Sequence, residues 1–183
     1  MVVTSNPELA EKLRYYKNLC FPLHAAREYK HAHIGFNYRI SNLHAAIGLA
    51  QVEKADDYRE KRRNNNSLYR SLLRDVPGIY FQKDNDIDYY HVHWMNAIVL
   101  NPKEFGMGRD DLMIHLKSQG IDSRKLFTGM HQQEALRNFG CETAGKFEVS
   151  EYLAENGLYL PSASSLTKED IERVAGHIRE AKA

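Results

Sequence analysis

No apolar run in this chain approaches the ~20 residues a helix needs to cross a bilayer, so the sequence predicts no membrane span. Met1-Val2-Val3-Thr4-Ser5-Asn6-Pro7 carries no basic n-region and no small-residue cleavage pattern, and no signal peptide is expected. Only two cysteines occur, Cys20 and Cys141. They are far apart and form no CxxC, which excludes a disulfide framework and makes free thiols in a reducing cytoplasm the expectation. Charge of either sign is not in excess: 25 basic and 24 acidic residues leave a net +1. That balance gives no footprint for nucleic acid or for an anionic membrane surface. Gly-rich phosphate loops, GxSxG elbows, HExxH helices and Cys–His nucleophile patterns are all missing.

What is present reads as a folded chain of 183 residues with 10% aromatics and 27% charged residues. It falls into two parts, 1–75 and 76–183, separated at Pro77-Gly78. In the first, the β-branched run at Met1–Thr4 predicts a short opening strand. Asn6-Pro7 then predicts a helix over 7–18, with an N-cap and a proline at the first helical position. Residues 19–40 lack a period and read as a long loop. Ser41 caps a second helix with Leu43, Ala46, Ile47 and Ala50 on one face, and helical character continues through Tyr58, Leu68, Leu72 and Leu73. Within it, Arg59–Asn66 has no apolar stripe and reads as a solvated face or helix joint.

The second part alternates strands and helices. Strands are expected at 79–81, 89–100 and 158–160, with an extended stretch over 121–127. Helices are expected after Gly108 (ended by Gly120), over 147–156 (closed by Gly157) and after Thr167, where Asp170 stands at the capping-box position and Leu166 can staple onto Ile171. The pattern β-β-α-β-α-β-α describes an α+β layer with helices on a small sheet.

Three constellations carry chemistry. In His33–Leu43, Asn37 and Arg39 stand two apart just before a helix start, where donors can face an anion; an N-capped helix with a solvated arginine is the plainer reading. His31-x-His33 and His91-x-His93 would each share one face on a strand, but neither has a third ligand at metal spacing, and for His91 and His93 surface or cross-strand packing is the better account. Ser123–Gln133 places Arg124, Phe127 and His131 in one glycine-containing loop. That set suits a diphosphate and a base or sugar face, and equally an ordinary polar strand end.

The run Gly35-Phe36-Asn37-Tyr38-Arg39-Ile40-Ser41-Asn42-Leu43-His44-Ala45-Ala46-Ile47-Gly48-Leu49-Ala50-Gln51 resembles the signature of the DegT/DnrJ/EryC1/StrS sugar aminotransferases, pyridoxal-phosphate enzymes that aminate keto groups on nucleotide-linked sugars. Val2–Ala10, His91–Met95, Ser123–His131, Gly157–Ser162 and Leu166–Ile171 match the same family in order, so the resemblance covers essentially the whole chain. Within the family the nearest likeness is to perosamine synthases.

The resemblance implies the C-terminal portion of a fold-type I aminotransferase of α/β class: a small α+β domain preceded by remnants of the large domain, most of which is missing. Asn37 would reach the cofactor phosphate of the neighbouring subunit in a homodimer, with Arg39 beside it at the cofactor, fixing the same turn or touching the substrate phosphate. Arg124, Phe127 and His131 would line the nucleotide-sugar side, although the family often has proline where Gly129 stands. The family's cofactor-bearing lysine and the acid facing its ring nitrogen would lie before Met1, so no catalytic residue is assigned here. Lys12, Lys17 and Lys30 fall on a helix face or in a loop. The expectation is therefore a fragment that does not bind pyridoxal 5'-phosphate or transaminate alone. The alternatives are activity on complementation by a separate N-terminal chain, or a non-enzymatic dimeric binding module. The complete enzyme would use a nucleotide sugar such as GDP-4-keto-6-deoxymannose and glutamate as amino donor.

Overall fold

The computed structural model describes residues 2–84 and 88–182. Contacts divide the chain into two units, Met1–Lys54 and Ala55–Ala183.

In the first unit, Asn6 and Pro7 start α1 (Pro7–Lys17) as their order predicts, the Asn6 side-chain oxygen accepting from Leu9 N at 3.0 Å. The chain then turns through Leu19 and Cys20, both at positive φ (61° and 54°). The long loop folds back on this turn: Phe36 N donates to Tyr16 O at 2.7 Å, Leu19 N to Phe36 O at 3.1 Å and Tyr38 N to Lys17 O at 3.0 Å. Only glycine fits at position 35, because a Cβ there would lie 2.5 Å from the Leu19 carbonyl carbon and 2.6 Å from Cys20 N. Cys20 and Phe21 are buried beneath the crossing. Ser41 caps α2 (Asn42–Val52), its Oγ accepting from His44 N at 3.3 Å, and α2 buries no residue. The expected opening strand does not form. Val2–Thr4 is irregular and both valines are exposed, because no described strand lies beside them to take their backbone hydrogen bonds; Met1 lies outside the described residues.

The second unit begins with α3 (Ala55–Leu73), followed by β1 (Ile79–Phe81), β2 (Asn96–Leu100), α4 (Pro102–Phe105), α5 (Arg109–Ser118), β3 (Arg124–Lys125), a 3-10 turn at Met130–Gln132, α6 (Glu134–Asn138), α7 (Glu148–Asn156), β4 (Gly157–Leu160) and α8 (Lys168–Lys182). The sheet runs β1-β2-β4-β3 with every neighbour antiparallel. Asn96 pairs with Leu160 and Ile98 with Leu158. With a side-chain period of two, Ile98, Leu100, Leu158 and Leu160 share the buried face. Leu112 and Leu116 of α5, and Ile171, Val174 and Ile178 of α8, complete the core with Tyr69 and Leu73 of α3.

The capping box at α8 forms as read. Thr167 N donates to Asp170 Oδ2 at 3.0 Å, and Asp170 N to Thr167 Oγ1 at 3.1 Å. Asn101-Pro102, with Gly106 at φ 99°, builds the short α4 whose Phe105 is buried, an element bounded by its own start and stop residues. Because α3 packs on α8, with Arg179 donating to Leu72 O and to both Asp75 oxygens at 2.7 Å each, the units divide at Lys54 and Ala55 rather than at residue 75.

Two expected strands are shorter than read. The stretch 89–100 is strand only from Asn96, since His93 at φ 49° breaks the extended run; of 121–127, only Arg124 and Lys125 pair. His91 and His93 therefore do not share a strand face; their rings stack 4.1 Å apart. Nor is Arg59–Asn66 wholly solvated. Asn65 and Asn66 are buried, and with Tyr69 and Leu73 they trace one face of α3. That face is lined by amides and a phenol rather than by an apolar stripe, so a hydrophobic period does not reveal it.

Gly157 sits where α7 passes directly into β4, and an added Cβ would fall 1.8 Å from Leu126 Cδ1 and 2.6 Å from Leu153 O. Leu126 can turn aside but the carbonyl cannot. Gly157→Ala should cost about 1–3 kcal/mol in urea unfolding. Asp75 is held down to about 2 from its ordinary 3.8, first by the Arg179 hydrogen bond. A depressed carboxyl stabilises the fold above its unfolded value and loses that contribution as pH falls through the folded one. Melting curves between pH 4 and about pH 2 should therefore fall less steeply for Asp75→Asn than for the unaltered chain.

Candidate functional site

Asn37 and Arg39 occupy the return limb of the first unit's crossing, where Asn37 bridges Asn18 and the Phe36 and Tyr38 rings stack 5.1 Å apart. Arg39 Nε donates to Asn37 Oδ1 at 2.9 Å. That bond consumes the amide's acceptor. It leaves Asn37 Nδ2 and the terminal guanidinium nitrogens as donors that make no hydrogen bond among the described residues. A neutral amide donor held beside a cation, on an exposed turn, is a donor set for a phosphate or similar anion.

In the second unit, Arg124 lies in a cleft of about 260 Å³ that also draws on Arg62, Trp94, Asp122, Tyr159 and Ser162. The cleft is built from α3 upward. Arg62 Nη1 donates to Trp94 O at 2.6 Å and to Ser162 O at 3.1 Å. Asn65 Nδ2 donates to Ala163 O, and Tyr69 OH to Pro161 O. Asn66 Nδ2 reaches Asn96 Oδ1 at 3.1 Å, while Asn96 N donates to Ser162 Oγ at 2.8 Å. Burial pushes the Tyr69 phenol well up, so it remains a hydrogen-bond donor. No buried side-chain polar atom among the described residues lacks a partner.

Phe127 is exposed and meets Tyr159 edge to face at 5.7 Å, so it flanks the cleft through Tyr159. His131 does not line the cleft. Its ring stacks on Phe147 at 4.3 Å and its Nε2 lies 3.2 Å from Glu151 Oε1, which ties it to α7. The loop read as one constellation is thus divided: Arg124 lines the cleft, Phe127 flanks it and His131 is held elsewhere. The Asp122 carboxyl sits below its usual range, chiefly through the Lys117 hydrogen bond, with Arg124 adding to it.

Arg62, Trp94 and Ser162 were not singled out by the sequence. Arg62 stands three and seven residues before the buried Asn65 and Tyr69, and that helical spacing was the available signal. His93 is buried against His91 and bonds Asp84 Oδ1 at 3.0 Å; burial and the neighbouring imidazole push its pKa down, which favours the neutral ring. No described lysine is buried: Lys12, Lys17 and Lys30 are exposed, and Lys182, half-buried, donates to Glu104 O above the Phe105 ring.

The profile of the DegT/DnrJ/EryC1/StrS aminotransferase family matches residues 1–179. The GDP-perosamine synthase of Escherichia coli O157:H7 is 31% identical over 98% of this chain and 46% of its own length; that of Vibrio cholerae is 31% identical over 98% and 47%. Among solved structures, DesV of S. venezuelae, determined with a ketimine intermediate, superposes with a TM-score of 0.80 at 26% identity, covering 98% of this chain and 46% of that one. DesI, determined with its TDP-sugar product, gives 0.80 at 28%, over 98% and 44%. The chain thus spans about half the length of the relatives it matches, and its α/β fold corresponds to the C-terminal portion of theirs. No helix among the described residues is long and apolar enough to cross a membrane. By a match that runs along nearly its whole length, this chain belongs to the DegT/DnrJ/EryC1/StrS aminotransferase family.

Proposed function

We propose that the chain works as the C-terminal portion of a homodimeric nucleotide-sugar aminotransferase, which moves an amino group from glutamate to a keto sugar such as GDP-4-keto-6-deoxymannose. The observation that carries this reading is the family match along residues 1–179; two relatives named GDP-perosamine synthase support the guanosine sugar. Taken alone, the chain is inactive in this reading. When bound, pyridoxal 5'-phosphate supplies a ring that withdraws electrons from the carbon carrying the amino group.

The residues present fit one end of that cofactor. Asn37 Nδ2 and the Arg39 guanidinium suit its phosphate, and the Arg39–Asn37 bond keeps the amide turned to donate. In this reading both serve the partner subunit's cofactor. The aldehyde end calls for an amine shielded from water, and no described lysine is buried. On the substrate side, Arg124 pairs with the diphosphate, while Trp94, Tyr159 and Phe127 offer flat faces to the base or sugar. His131, fixed by Glu151 and Phe147, steadies the 127–131 loop that carries Phe127.

The purified chain titrated with pyridoxal 5'-phosphate, reduced with borohydride and mapped by mass spectrometry should show no adduct concentrated on one lysine. A single modified lysine, or amination of a keto sugar by the chain alone, would overturn the inactive-alone reading. Trp94, the chain's one tryptophan, reports on the cleft. GDP should quench its fluorescence, and Arg124→Ala should weaken that binding ~10-fold or more, the loss of one or two charge-assisted hydrogen bonds. Absence of saturable quenching would remove Arg124 from the nucleotide side.

A further inference from the structure

The packed helices α5 and α8 bring His115, His177 and Glu180 together, each with one potential ligand atom within 4.8 Å of the others. We propose that these three side chains bind a divalent transition-metal ion of the zinc type, clamping α5 to α8. The proposal is independent of the aminotransferase reading.

His177 and Glu180 lie three apart on α8, on one face of the helix, and His177 Nδ1 is 2.8 Å from Glu180 Oε2. His115 comes from α5, its ring centroid 6.3 Å from that of His177. His115 Nε2 lies 3.1 Å from His177 O. A carbonyl only accepts, so the proton sits on Nε2 and the lone pair on Nδ1. In the proposed site His115 would therefore ligate through Nδ1, its Nε2–H held by the backbone carbonyl.

A tetrahedral ion with bonds of about 2.0–2.1 Å has ligand atoms about 3.3 Å apart. The three ligand atoms, already within 4.8 Å of one another, would need only local side-chain adjustment to reach that spacing. On binding, the ion displaces the proton between His177 Nδ1 and Glu180 Oε2, which passes to solvent, and water fills the fourth position. Two imidazoles and one carboxylate match a borderline cation such as zinc better than magnesium or calcium, which prefer oxygen. His177 is 23% exposed and Glu180 68%, so the ion can enter from solvent while the imidazole is partly shielded.

The scaffold is already rigid. Leu112 and Leu116 of α5 and Val174, Ala175 and Ile178 of α8 are core residues, and Arg173 Nη1 donates to Gln119 O at 3.1 Å just past the end of α5. An ion bound only by the folded unit raises the melting temperature with its free concentration.

The whole chain, stripped with a chelator, should take up one Zn2+ per molecule in calorimetric titration and melt at a higher temperature with added Zn2+. Co2+ in its place should show the intense visible absorption of a four-coordinate ion. His177→Gln and Glu180→Gln should each weaken Zn2+ at least ~10-fold, the loss typical even of a group outside the ligand shell. Glu180 is exposed and His177 is only partly shielded, so the metal-free melt should stay close to the unaltered chain, most closely for Glu180→Gln; His115→Gln, which also loses its carbonyl contact, is read only beside them. No saturable uptake, or uptake that persists in both α8 variants because other histidines hold the ion, overturns the proposal.

Discussion

The second unit depends on one polar seam, in which α3 holds the turn after β4 by hydrogen bonds to its backbone. Pro161 O, Ser162 O and Ala163 O each receive a side-chain donor from Tyr69, Arg62 or Asn65, and Asn66 joins Asn96 at the start of β2. Such a seam is stable only when complete, because a buried amide without a partner costs about 1–3 kcal/mol. Its completeness makes it specific as well. An apolar helix face could slide along a sheet, whereas these donors meet their carbonyls in one register only.

The cleft follows from that seam. The segment that carries Ser162, and the Trp94 carbonyl across from it, are both held by Arg62, so the walls of the cleft are set before any ligand arrives. Arg124 reaches the same place from the edge strand β3, which pairs only through Arg124 and Lys125. In the proposed function, a rigid wall faced by a cation on a short edge strand would leave little order to be imposed on the protein when a diphosphate binds.

The first unit solves a different problem. It has few buried side chains, so its long loop is held by backbone pairing to the end of α1 and by close approach at Gly35. The Asn37–Arg39 pair gains its orientation from this crossing rather than from a core. Ile40 and, along α2, Leu43, Ile47 and Val52 are exposed in the same unit.

Caps and periods were local, and the sequence by itself determined them. Asn6-Pro7, Ser41 and Thr167-x-x-Asp170 each specify a helix start through contacts within four residues, and the α+β class followed from the alternation of elements, whereas the antiparallel order of the sheet did not. Family membership was legible for a similar reason, since ordered motifs lie along the chain itself. Tertiary structure alone decided where non-local pairing was needed. Val2-Val3 has strand-forming residues but no neighbour among the described residues, His93 at positive φ ends a strand that composition would extend, and Asn65 and Asn66 are polar residues that only their partners a hundred or thirty positions away draw into the interior. The candidate site divides along the same line. Arg124 and Asn37 could be named from their motifs, whereas the separation of His131 from Arg124, and the meeting of His115 with His177, depend on which helices the core brings together.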